Sequence, residues 1–501
     1  MIEQVAEAFS IFLSFQNFAV VFLGVLIGTL IGAIPGMTTP MGVALALPFT
    51  FALHPVTGIL LLLGIYKGGL YGGSISAILL KAPGTPAASC TVLDGFPMAQ
   101  KGEAKRALDM ALYASCIADV ISNLSLILLT GFLATFALRF GPPEFFTLIL
   151  FSLTIIAGVS GDSLPRGMIS ACCGLLLATA GLDMIYGTER MTFGNFELMS
   201  GFNFIPVLIG LFALPEIIDH FARKGAEEVI VGKLGRVGAT LKDLRQCMKT
   251  IIRGSIIGVI LGAIPGIGGA PAAFLSYSEA RRTSKNPDAF GKGEIEGVAA
   301  AESGNNGVAG ATMIPLLALG VPGDVTTAVI LGAFMIHGLQ PGPVMFVQNL
   351  PMIYAIFIGI MLSSAYLFII GKITIRSVSR ISDIPNRMLY PVVLVLCIFG
   401  AFAVNNTLLD VLIMIIMGAL GFVMLRASIP AAPFLIGFIL GPLLEDSFRQ
   451  SLRLSDGHYG IFLGSPICWV FWAFTALSIF MLLRGRFVMR DSDLPIESNK
   501  N

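Results

Sequence analysis

Two stretches of this sequence, 230 residues apart, read almost alike. The first is Gly24-x3-Gly28-x3-Gly32-Ala33-Ile34-Pro35-Gly36; the second is Gly254-x3-Gly258-x3-Gly262-Ala263-Ile264-Pro265-Gly266. Glycine at every fourth position puts a smooth stripe on one helix face, where a second backbone can approach closely. Each stripe stops at Ile-Pro-Gly. Proline removes a backbone donor and glycine opens unusual dihedrals, so each helix should break there. A second pair of breaks follows. Gly64, Gly68, Gly72 and Ser76 lead to Lys81-Ala82-Pro83-Gly84-Thr85-Pro86-Ala87-Ala88-Ser89. Gly304, Gly307 and Gly310 lead to Gly320-Val321-Pro322-Gly323-Asp324-Val325-Thr326-Thr327.

The solvent around these helices is set by composition. Hydrophobic residues make up 55% of the 501-residue chain and charged residues 12%, against about 25% charged in soluble domains. So much apolar surface cannot be hidden behind so little charge in water. The sequence therefore predicts an all-α integral membrane protein of about 11–13 transmembrane helices, each of roughly 20 apolar residues. Candidate spans are 17–34, 57–80, 107–138, 144–160, 165–182, 204–222, 251–265, 297–320, 350–370, 388–405, 409–426, 429–443 and 458–484. Apolar pieces at 41–52, 91–97, 268–277 and 325–337 are too short to cross and read as re-entrant half-helices.

Basic residues give the orientation, because Lys and Arg gather in cytoplasmic loops. Lys101, Lys105 and Arg106 form one group. Arg223, Lys224, Lys233, Arg236, Lys242, Arg245, Lys249 and Arg253 form a second, and Lys372, Arg376, Arg380 and Arg387 a third. Arg484, Arg486 and Arg490 follow near the C-terminus. These are expected inside, with the N-terminus outside and 444–457, with Arg449 and Arg453, an exposed loop. Four spans separate the first two groups, an even number, as a shared side requires. The flanking charges of the two copies are swapped, so the copies are expected to lie upside down to each other: 1–222 and 254–484, joined by the basic loop 223–253 and followed by the tail 485–501. The N-terminus lacks a basic signal-peptide start and is expected to be mature chain.

Inverted repeats with broken helices are the signature of secondary transporters. Irregular backbone at membrane depth needs a protein or water-filled cavity around it, and helix N-termini present a positive end to anions. The candidate substrate site is therefore Gly36, Thr38, Thr39, Gly84, Thr85, Pro86, Ser89, Gly266, Gly268, Gly323, Thr326 and Thr327. Asn305 and Asn306 share a helix face with Glu302 and join that set. Glu302, Ser303 and Asp324 are the candidate ion-coupling groups, since carboxylates at membrane depth suggest function. Asp324 is also placed to cap a helix from 325. Lys67 and Lys81 are candidates for pairing with the anion, Lys67 alternatively with Glu302 or snorkelling to the surface. His54, His220, His337 and His458 have no ligand spacing, and the seven cysteines no Cys-x-x-Cys pair, so neither a metal nor a resident cofactor is expected. A net charge of +1 gives no field to attract nucleic acid.

Gly-Ala-Ile-Pro-Gly at 32–36 and 262–266, Tyr-Gly-Gly-Ser at 71–74, Pro-Gly-Thr-Pro at 83–86, Leu-Asp-Gly-Phe-Pro-Met-Ala at 93–99 and Glu302 to Pro322-Gly323 resemble the large membrane subunit of the tripartite tricarboxylate transporter family. The resemblance covers essentially the whole chain. It implies a Na⁺- or H⁺-driven symporter for citrate and other organic acids in the bacterial inner membrane. It also implies two partners: a small membrane subunit and a periplasmic solute-binding protein. By fold-level analogy the broken helices would form a moving domain against a scaffold. Two other readings fit parts of the sequence. An intramembrane hydrolase of rhomboid type would use Ser74 in Gly72-Gly73-Ser74 with His337. A passive anion channel would need neither inverted repeats nor membrane-buried acids.

Overall fold

The computed structural model describes residues 2–34, 36–159, 163–183, 185–222, 237–381 and 386–492; the side chains of Ile2, Val159, 377–381, 386–389 and 482–492 fall outside the description. Pro35, Arg223, Lys224, Lys233 and Arg236 lie outside the described residues, as do the side chains of Arg380, Arg387, Arg484, Arg486 and Arg490 and the tail from 493.

In chain order the helices are α1 (Ile2–Phe12), α2 (Phe15–Ala33), α3 (Thr39–Ala46), α4 (Pro55–Leu80), α5 (Ala88–Gln100), α6 (Ala104–Ala137), α7 (Pro142–Val159) and α8 (Leu164–Ala178). After a two-stranded hairpin, β1 (Gly181–Leu182) with β2 (Glu189–Arg190), come α9 (Phe204–Phe212), α10 (Leu214–Ala222), α11 (Leu241–Gly262), α12 (Gly269–Thr283), α13 (Ile295–Ala311) and α14 (Met313–Leu319). The chain continues with α15 (Val325–Ile336), α16 (Pro343–Gln348), α17 (Leu350–Ile381), α18 (Asn386–Asn405), α19 (Leu408–Arg426), α20 (Ala431–Leu454) and α21 (Pro466–Ser492). Among the described residues, seven helices are long and apolar enough to cross a membrane and six shorter apolar ones have 10–17 residues. The protein is an all-α, multi-pass membrane protein.

Several expected spans are divided or shifted, each for a local reason. Span 204–222 is kept as one apolar run, Phe204–Ala222, with a one-residue interruption at Ala213 ahead of Pro215, whereas 297–320 is broken into α13 and α14, where Pro315 withholds an N–H from the helix ladder. At that break Ser122 of α6 donates to the Gly307 carbonyl (2.6 Å) and accepts from the Gly310 and Ala311 N–H groups (2.9 Å each). The loop expected at 444–457 is largely helical, because α20 continues to Leu454 and carries Arg449 and Arg453. Arg449 holds Asp183 at 3.0 Å and so fastens the hairpin.

The glycine stripes do what their spacing predicts. α2 packs on α4, and α11 on α13. A Cβ added at Gly28 would lie 2.1 Å from the Ile65 carbonyl oxygen, one at Gly68 2.2 Å from that of Val25, and one at Gly258 2.6 Å from that of Gly304. Overpacking costs about 1–3 kcal/mol when side chains can yield; here backbone must move. Gly28→Leu is therefore expected to abolish the monodisperse peak in detergent size-exclusion chromatography. Gly131→Leu, where an added Cβ meets nothing within 4 Å, should leave it intact.

The helices gather into two bundles. The first holds α1–α6 and α11–α17. In the second, α20 packs on α7 and α8, α19 on α9 and α10, and α21 on α7. The bundles meet chiefly where α3 touches α9 and α18, where α15 touches α20, and where the 3-10 turn Leu47–Ala52 touches α18. Glycines line this seam: Gly36 faces Tyr390, Gly266 faces Ile156, Gly332 faces Phe204 and Gly400 faces Pro48. The basic stretches gather at one end of the first bundle. Arg106 pairs with Asp243 at the start of α11 (2.6 Å), and this contact holds the Asp243 carboxyl down to about 2. Lys101 donates to the Lys292 carbonyl (2.5 Å), and Lys372 pairs with Asp109 and Tyr113.

Candidate functional site

Three of the four breaks converge. The Gly266 N–H donates to the Gly323 carbonyl (2.8 Å), joining both breaks of the second copy. Gly268, at φ +67°, lies with its Cβ position 3.4 Å from Asp324 Cβ. The Gly269 Cβ position is 3.3 Å from Ala87 Cβ, in the first copy, and 2.8 Å from Asn305 Oδ1. So α5 and α12, from different halves of the sequence, begin side by side next to Asn305. Asn305 Nδ2 reaches the Leu70 carbonyl at 3.4 Å, while its buried Oδ1 has no hydrogen-bond partner among the described residues. The side-chain amide thus keeps unused capacity at the point where two positive helix ends meet.

The candidate residues divide around this point. Thr85 Oγ1 accepts from the Ala88 N–H (3.2 Å), and the Pro86 carbonyl accepts from the Ser89 N–H (3.3 Å); together they shape the first turn of α5. Gly84 sits where a Cβ would come within 2.2 Å of the Gly32 carbonyl oxygen, so the second break of the first copy packs on the end of α2. Thr38 caps α3 by accepting from the Met41 N–H. Thr39 is buried against Gly69, its hydroxyl also without a partner among the described residues. Gly36 stands apart, against Tyr390 across the seam. Thr326 is buried at the start of α15, and Thr327 forms a capping box with Asp324.

Asp324 takes the capping role: its Oδ1 accepts from the Thr327 N–H (2.7 Å) and its Oδ2 from the Tyr66 hydroxyl (2.7 Å). Ser303 donates to the Ala300 carbonyl (3.2 Å) and faces Gly254, turned from Glu302. Lys67 neither snorkels nor pairs with Glu302. It is buried, 2.9 Å from Asp119, and donates to Asn123 Oδ1 (2.9 Å) and the Ile360 carbonyl (3.1 Å). Lys81 ends α4 in a left-handed conformation, exposed, 5.8 Å from the Phe96 ring centre. Ser74 and His337 do not meet: Ser74 donates to Glu302 Oε1 (2.5 Å), and the His337 ring bonds the Thr50 hydroxyl (3.1 Å). The hydrolase pair is therefore not formed.

Glu302 is fully buried rather than sitting at a wet helix end. Its Oε1 accepts from Ser74 of α4 and Thr91 of α5, and its Oε2 from Ser115 of α6 (3.0 Å) and Asn306 (3.4 Å). Thr91, Ser115 and Asp119 were not singled out from the sequence. The signal was present: Ser115, Asp119, Ser122 and Asn123 mark one face of α6 within an apolar run. Asp94, in the Leu-Asp-Gly-Phe-Pro-Met-Ala motif, gathers the loop before α13. Its Oδ1 accepts from the N–H groups of Gly291 (2.9 Å), Gly293 (2.8 Å) and Glu294 (2.8 Å), and its Oδ2 from Tyr277 (2.7 Å).

Residues 18–436 match the family described as the tripartite tricarboxylate transporter TctA family. An Agrobacterium vitis protein, described as an uncharacterized 52.8 kDa protein in the TAR-I ttuC' 3' region, is 38% identical over 467 residues, covering 93% of both chains. A second A. vitis protein, from the TAR-II ttuC' 3' region, is 39% identical over 210 residues, 42% of this chain and 87% of that one. No solved structure matches. With residues 18–436 matched by the family and a relative 38% identical over 93% of both chains, the chain belongs to the TctA family of tripartite tricarboxylate transporters, as a multi-pass membrane component.

Proposed function

We propose that this component imports small organic acids, di- or tricarboxylates, across the bacterial inner membrane by symport with a monovalent cation. A periplasmic solute-binding protein delivers the anion, and a small membrane subunit completes the carrier. The observation that carries this reading is the meeting of the α5 and α12 N-termini at Ala87 and Gly269 beside Asn305. Each helix end offers about half a positive charge, so together they suit a carboxylate, with Thr85 and Asn305 to hydrogen-bond it. The matched breaks and swapped flanking charges support inversely oriented halves. The seam supports a sliding motion, because the side-chain hydrogen bonds and ion pairs named above each lie within a single bundle. In this motion the first bundle carries the anion past the second.

The test is uptake of labelled di- and tricarboxylates into vesicles reconstituted with the partner subunits. Asn305→Ala and Thr85→Val should each lower uptake roughly tenfold or more at limiting substrate, the equivalent of one lost hydrogen bond to a charged group, with membrane insertion unchanged. Normal transport by both variants would remove the site from this position.

A further inference from the structure

We propose that Glu302, Ser74, Thr91 and Ser115 form a sodium site, one helical turn from Asn305; this deepens the carrier reading above and rests on it for its role in transport. The carboxylate is fully buried, and its four partners (three hydroxyls and the Asn306 amide) carry no charge. Lys67, seven residues before Ser74 on α4, gives its charge to Asp119. A buried anion held only by neutral donors is costly, and one bound cation balances it. Ser74, Thr91 and Ser115 donate to the carboxylate here, yet a hydroxyl also carries two lone pairs and turns freely about its C–O bond. Turned, the three supply oxygen ligands beside the two carboxylate oxygens, five hard donors from α4, α5, α6 and α13. One negative charge among neutral oxygens matches a monovalent ion. A divalent ion calls for more carboxylates, and a proton needs a single acceptor, not hydroxyls brought from three helices.

The placement explains coupling. Residues 302 and 305 share a face of α13, so an uncompensated Glu302 would repel an anion seated at Asn305. Sodium at Glu302 removes that repulsion before the carboxylate arrives. All four helices belong to the first bundle, so ion and anion would move together.

The test is thermal unfolding of the purified full-length chain in detergent, titrated with NaCl against choline chloride at constant ionic strength, with no carboxylate present. Sodium should raise the unfolding temperature of the wild type by a few degrees through binding to the folded state. Thr91→Val, nearly isosteric, should raise the half-saturating sodium concentration at least about tenfold, and Glu302→Gln should abolish the effect. Ser125→Ala, whose hydroxyl bonds its own helix at Ile121, should titrate like the wild type. If Glu302→Gln does not fold, Thr91→Val and Ser115→Ala decide the matter. Equal responses to sodium and choline, an identical sodium response in every variant, or a response to acid alone would each overturn the site. A sodium response without carboxylate uptake in reconstituted vesicles would instead retire the carrier reading and leave the ion site standing.

Discussion

Lys67→Met should leave the chain unable to hold its fold. Methionine matches the lysine stem in volume but carries no charge, so Asp119 would be left buried without its cation at the junction of α4, α6 and α17. The network is closed around it: the Ser364 hydroxyl donates to Asp119 Oδ2 (2.6 Å), and Asn123 Nδ2 donates to Ser364 (2.8 Å). Removing one partner of a buried pair costs about 3–5 kcal/mol, a large part of the 5–15 kcal/mol that usually separates folded from unfolded states. Fluorescence-detected size exclusion with a heating step would read the loss. The double variant Lys67→Met/Asp119→Asn removes both charges and keeps an acceptor for Ser364, so it should recover most of the stability. A Lys67→Met protein as heat-resistant as the wild type would mean that the pair contributes nothing to the fold.

Asp94→Ala should be comparably damaging through a different route. Gly291 (φ +80°) and Gly293 (φ +96°) bend the backbone so that the N–H groups of Gly291, Gly293 and Glu294 all aim at one carboxylate oxygen. Such a nest is an anion-binding concavity, and Asp94 is the anion it holds. Alanine would strand three backbone donors and the Tyr277 hydroxyl, at about 1–3 kcal/mol for each that finds no water. Because the loop leads directly into α13, the damage should reach Glu302: sodium-dependent stabilisation should weaken together with the melting temperature. Asp94→Asn, which keeps an acceptor but loses the charge, should fall between the two. Unchanged melting of Asp94→Ala would show that the loop holds itself.

The parts of this architecture that were legible in the sequence are those that local chemistry dictates. The stripes at Gly24, Gly28 and Gly32 and at Gly254, Gly258 and Gly262 announced close helix contact; Gly24, Gly28, Gly32 and Gly258 meet facing backbone, Gly262 meets Val308 and Ala311, and Gly254 meets the Ser303 and Ser276 side chains. Asp324 before Val-Thr-Thr announced a cap. The parity of the spans placed the Lys101–Arg106 and Lys242–Arg253 stretches on one side, and the Arg106–Asp243 pair joins them. What stayed hidden depends on partners far away along the chain. Lys67 read either as a snorkelling lysine or as a partner for a substrate anion or Glu302, because nothing local reveals that Asp119 faces it from α6. Glu302 was recognised as significant, but its hydroxyl partners sit in three other helices and belong to residue types too common to stand out. Ser303, its neighbour in sequence, turns the other way, as a helix geometry of about 100° per residue requires.

The distances along the chain within the Glu302 cluster have a consequence for how the protein is made. Ser74, Thr91 and Ser115 precede their shared acceptor by 228, 211 and 187 residues. At about 5–20 residues per second, a ribosome needs roughly 10–40 seconds to cover that interval. Throughout it, three hydroxyl-bearing helices wait in the lipid without the group that gathers them, and Lys67 with Asp119 is the charged contact already present to hold α4 to α6. A nascent chain arrested before α13 should therefore remain open to the insertion machinery and to membrane proteases, and protease resistance should appear late, when α13 has been released.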